Sequence, residues 1–156
     1  MDYKRILIPV YIGENSQQVA REGLEIARRF RARACFLFVK DSTLQHYLGL
    51  TSYPSAHLAR PKEEVDRAMD AIGQRTLEDN LALARRMGVE AEGILLEGDP
   101  LQAILAEVCP GDLVIVGCHE RGSLDHPSLG SLAQGLLEQA PVPVLTVRLS
   151  RAMAKV

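Results

Sequence analysis

Three short apolar runs constrain this chain more than any other feature: Ile6-Leu7-Ile8-Pro9-Val10, Ala34-Cys35-Phe36-Leu37-Phe38-Val39 and Leu113-Val114-Ile115-Val116. A strand with one face in water alternates apolar and polar residues, whereas a strand covered on both faces reads as a continuous apolar stretch. These runs therefore predict a sheet with helices on both sides. Between the first two, Val19, Ala20, Leu24, Ile26, Ala27 and Phe30 recur at helical spacing with arginines and glutamates among them, which predicts an amphipathic helix from Gln17 to Phe30. Gly13 to Ser16 supply the preceding turn, with Ser16 as a candidate helix cap. Two buried strands joined by such a helix imply a right-handed parallel βαβ unit.

The remaining elements continue the alternation. Asp41 to Pro61 carries Gly, Pro, Ser, Thr and His without a sustained period. It reads as a variable segment, expected to move on its own because it has few periodic apolar anchors to bury. Pro61-Lys62-Glu63-Glu64 opens a long helix, since proline suits the first turn and acids there complement the helix dipole. Gly88 stops that helix, and Val89 to Leu96 is a more alternating strand, which suits a sheet edge. In Gly98-Asp99-Pro100 the aspartate is a candidate N-cap for a helix carrying Ile104, Leu105 and Val108, ended by Pro110-Gly111. A last helix is expected from about Ser131 to Gln139, and Val144-Leu145-Thr146-Val147 is the fifth strand. Residues 1–149 are expected to form one domain, with 150–156 as a loose tail.

Five strands and four helical connections make a doubly wound sheet, of order 3-2-1-4-5 or 2-1-3-4-5. Either order opens a crevice above the carboxyl end of the first strand, so the residues after Val10, Val39 and Val116 should share one site. Hydrophobic residues make up 47% of the chain and charged residues 24%, a globular balance. A net charge of -2 and a pI near 6.1 provide no positive field for nucleic acid or anionic lipid. No apolar run approaches the roughly eighteen residues that a spanning helix needs, so neither nucleic acid nor membrane is an expected partner. Three widely spaced cysteines, Cys35, Cys109 and Cys118, fit a reducing cytoplasm better than a disulfide framework.

The loop after the fourth strand begins Gly117-Cys118-His119-Glu120-Arg121-Gly122 and ends at Gly130-Ser131. It runs from a strand end towards a helix start, where backbone N–H groups can cradle phosphate. Gly117, the nine residues after Glu120, Gly130-Ser131 and the following Pro-Val-Pro-Val-Leu-Thr-Val resemble the nucleotide loop and last strand of the universal stress protein family, whose loop reads G-x-x-G-x9-G-[ST]. Arg5 to Val10, Glu14-Asn15-Ser16 and Gly98-Asp99-Pro100 through Gly117 are similar to the family's opening strand, first helix start, third helix and fourth strand. The resemblance implies the 3-2-1-4-5 order, a homodimer, and a small stress-response or regulatory protein whose nucleotide-binding members hold ATP. It also implies the candidate nucleotide contacts: Pro9 and Val10 at the end of the first strand, Val39 beside the base, Val116 and Gly117 entering the loop, Arg121 and Gly122 within it, and Gly130, Ser131 and Leu132 at the phosphate end.

Two positions depart from that pattern. Tyr11 stands where nucleotide-binding members carry an aspartate that engages the nucleoside, and Glu120 stands where they carry the second loop glycine. A carboxylate about 4 Å from a phosphate charge, at an effective dielectric near 20, opposes binding by about 4 kcal/mol before screening. That is half of the about 8 kcal/mol that a micromolar complex represents. The expected protein is a cytoplasmic, dimeric binding or signalling module with weakened or lost ATP binding. The alternative is a competent ATP binder with slow hydrolysis, in which Tyr11 stacks on adenine and Arg121 offsets Glu120. No constellation points to an enzyme: the G-x-S-x-G elbow, the Walker loop and the G-x-G-x-x-G fingerprint are all absent. Cys118, His119, Asp125 and His126 are metal-capable types without a standard zinc spacing, so no metal is expected. The exposed backbone and apolar side chains of the last strand predict that it pairs with a second copy.

Overall fold

The three apolar runs and the two further predicted strands form one parallel sheet: β1 (Arg5–Pro9), β2 (Arg33–Lys40), β3 (Ala91–Glu97), β4 (Asp112–His119) and β5 (Val144–Leu149). The computed structural model describes residues 2–11, 14–40, 62–119 and 127–149. The spatial order is β3-β2-β1-β4-β5, which decides between the two orders the sequence allows. In register, Leu7 lies opposite Cys35 on one side and Val114 on the other. The alternating strand β3 is at an edge, as its pattern predicts. The direction of winding reverses between β1 and β4, and the crevice at their carboxyl ends is where ligands bind in such sheets.

Helices α1 (Glu14–Phe30) and α2 (Lys62–Arg86) cover one face, and α3 (Pro100–Glu107) and α4 (Pro127–Gln139) the other. Residues alternate along each strand between the two layers. Ile6, Ile8, Val10, Phe36, Phe38 and Ile115 pack with Val19, Leu24 and Met69 beneath the first helix pair. Leu7, Leu37, Val39, Val114 and Val116 pack with Ile104, Leu132 and Leu136 beneath the second. Gly73 does not break α2. A Cβ there would come within 2.6 Å of Leu95 Cδ1 and 3.0 Å of Phe38 Cδ1, so glycine lets the helix lie close against the sheet.

Several boundaries differ from expectation. Helix α1 begins at Glu14, which puts Ser16 inside the helix instead of at its cap. Strand β3 begins at Ala91 and not at Val89, and α3 ends at Glu107 with Val108 as its C-cap. Helix α4 begins at Pro127, ahead of the expected Ser131, because proline is itself suited to the first helical position. The Asp99 cap is as expected: its Oδ2 accepts from the Gln102 N–H at 3.0 Å. At the amino end of the sheet the buried Asp112 carboxylate accepts from Arg5 Nε at 3.0 Å, Arg5 Nη2 at 2.8 Å and the Cys109 N–H at 2.7 Å. This clamp joins β1 to the start of β4. The variable segment 41–61, the loop positions Glu120, Arg121 and Gly122, and the tail 150–156 lie outside the described residues.

Candidate functional site

The crevice is built from the last residues of β1 and β4, closed by α1 and the end of β5. Its cavity is about 20 Å³ and is lined by Pro9, Tyr11, Ser16, Val19, Val116, Gly117 and Leu149. Pro9 and Tyr11 arrive there because β1 stops at Pro9 and the next turn is pinned: the Tyr11 N–H donates to Ser16 Oγ at 2.8 Å. Tyr11 is half-buried and packs against the apolar layer under α3 and α4. Val116 and Gly117 are buried in β4, and a Cβ on Gly117 would meet Leu149 Cδ1 and Val19 Cγ2, each at 2.9 Å. Gly117 is thus a close-approach glycine: a side chain there would force Leu149 and Val19 to shift.

Of the residues predicted for a nucleotide site, the structure brings Pro9, Tyr11, Val116 and Gly117 to one cavity. Val10 and Val39 do not line it. Val10 is fully buried on the α1 and α2 side, with its N–H donating to the Leu37 carbonyl at 2.8 Å, and Val39 is buried on the opposite side. Gly130 and Ser131 are exposed within the first turns of α4, and Leu132 is buried in the layer beneath that helix. A Cβ on Gly130 would meet nothing within 4 Å, so packing does not demand glycine there. Glu120, Arg121 and Gly122 belong to the undescribed loop.

Sequence reasoning missed Ser16, Val19 and Leu149 as lining residues. Leu149 carries a readable signal, since it follows Val147 at the strand period of two and so shares its face. Among the described residues, no group of three or more His, Cys, Asp or Glu side chains could hold a metal ion. No described helix is long and apolar enough to cross a membrane.

Comparison with known proteins agrees with this architecture. The sequence profile described as "Universal stress protein family" matches residues 2–148. A universal stress protein of Methanocaldococcus jannaschii is 29% identical over 148 residues, covering 94% of this chain and 82% of that protein. Among solved structures, the universal stress protein UspA from Lactobacillus plantarum superimposes with a TM-score of 0.68 at 22% identity, covering 95% of this chain and 99% of that one. A universal stress protein family member from Arabidopsis thaliana, solved with AMP bound, gives 0.63 at 22% identity, with 96% and 94% coverage. At these identities the superpositions speak for the shared fold.

Proposed function

This chain belongs to the universal stress protein family, and on that premise we propose that it is a stress-response binding or signalling module, dimeric and cytoplasmic, whose ATP binding is weakened or lost. The observation that carries the reading is the place of Tyr11: it stands with Pro9, Val116 and Gly117 at the strand ends, where the family's nucleotide-binding members carry an aspartate. Tyr11 brings no carboxylate to accept from a nucleoside. Glu120 adds negative charge to a loop whose family counterpart has glycine, and a fixed carboxylate near phosphate disfavours the bound state. The reading treats residues 1–149 as one domain. It assigns no chemical step.

Dimerisation belongs to the same reading. Strand β5 is a sheet edge whose Leu145 is 39% exposed, and an unpaired apolar edge is favourably covered by another copy. A second reading, a competent ATP binder with slow hydrolysis, is supported by the AMP held in the Arabidopsis structure. It would require Tyr11 to swing from the apolar layer and stack on adenine. Mass spectrometry of small molecules released from the purified protein tests the choice. The proposed reading expects no stoichiometric adenine nucleotide; one nucleotide per chain would favour the second.

A further inference from the structure

A second cavity, about 400 Å³, lies between α1 and α2 and shares only Tyr11 and Ser16 with the crevice. Its volume falls within the range of small-molecule sites. Arg21 from α1 and Arg86 from the last turn of α2 both line it. Both are exposed, and neither forms an ion pair with a described residue. The acid in the groove, Asp79, lies 3.5 Å from Arg75 of its own helix and pairs with neither Arg21 nor Arg86. Two guanidiniums lining one groove favour a phosphate, which each can engage with paired N–H donors.

Asn80 narrows the chemistry further. It is only 8% exposed, and its Nδ2 donates to the Thr76 carbonyl at 2.9 Å. That bond orients the carboxamide and leaves its oxygen without a partner among the described residues. A buried acceptor left unpaired is costly. The fully ionised phosphoryl group of an ester offers only acceptors and cannot satisfy it, whereas a sugar hydroxyl can. Gln17 lines the same groove with a second carboxamide.

From this combination we propose that the groove between α1 and α2 binds a small, hydroxyl-rich phosphate ester of the sugar-phosphate class, with Arg21 and Arg86 facing the phosphate and Asn80 and Gln17 receiving the hydroxyls. The site does not depend on the nucleotide reading.

The test is an amide NMR titration of the full chain with ribose 5-phosphate, with inorganic phosphate in parallel. The expected result is saturable shifts centred on Gln17, Arg21, Asn80 and Leu83, with affinity about tenfold weaker for inorganic phosphate and about tenfold weaker in the R21A/R86A double variant. Both arginines are exposed, and Arg86→Gln alone, expected to weaken binding in the same direction, serves if the double variant unfolds. The proposal is overturned by an absence of saturable shifts, by equal binding of inorganic phosphate, by affinity unchanged in the arginine variants, or by shifts centred on Gly117 instead of the groove.

Discussion

Ser16 Oγ accepts the Tyr11 N–H at 2.8 Å, so the chain just past the end of β1 is tied to the first turn of α1. The bond crosses the undescribed positions 12 and 13 and fixes where Tyr11 leaves the sheet. Ser16→Ala removes the acceptor from a half-buried donor, and a lost hydrogen bond of this kind costs about 1 kcal/mol. The expected drop in melting temperature is about 2–4 °C for a chain of this size. Thermal unfolding by circular dichroism reads it, and an unchanged midpoint would show that water replaces the hydroxyl without loss.

The second prediction concerns the thiols. Burial is the main cause that pushes the Cys35 thiol up to about 12, and the Glu92 carboxylate adds to it. Cys109 is exposed. At pH 8.5 iodoacetamide is expected to modify Cys109 readily and Cys35 only after unfolding, as peptide mass spectrometry would show. The linkage has a definite sign. The native state keeps the Cys35 proton that the unfolded state gives up near pH 9, so this group's contribution to stability declines as pH rises from about 9 to about 12. Modification of Cys35 as fast as Cys109 in the folded protein would contradict its burial.

The third prediction concerns assembly. Leu145 lies on β5, at the sheet edge, with 39% of its surface exposed. Leu145→Lys places a charge in the proposed dimer interface while leaving the covered core untouched, and charge on an edge strand blocks pairing. Light scattering is expected to report a dimer for the native chain at micromolar concentration and a folded monomer for the variant. A native monomer, or a dimer indifferent to the lysine, would remove this interface from the account.

The strands were legible because burial on both faces leaves an unbroken apolar run, and Leu113 to Val116 illustrates it. Strand order was not legible from residues alone. Nothing local in β2 says that it pairs with β1 and β3 together; the family resemblance implied that arrangement, and the pairing of Cys35 with both Leu7 and Glu92 displays it. Pro9, Tyr11, Val116 and Gly117 could be placed in one site because strand ends at a switch point converge. The start of α4 was misplaced because Gly130-Ser131 reads as a stronger loop-to-helix boundary than Pro127. The groove was invisible from sequence, since Arg21 and Arg86 come to line one groove only through the packing of α1 on α2.

The central claim is that Tyr11 and Glu120 keep ATP affinity low, and isothermal titration with ATP and magnesium addresses it most directly. The native chain, Tyr11→Asp, Glu120→Gly and the double variant are compared in one buffer at one ionic strength. Removing the loop carboxylate relieves a repulsion of up to about 4 kcal/mol before screening. Tyr11→Asp restores a nucleoside acceptor and vacates the ring's position at the crevice. The account predicts a native dissociation constant tending towards millimolar and a gain of at least about tenfold in the double variant. Tight native binding that neither substitution changes would contradict it.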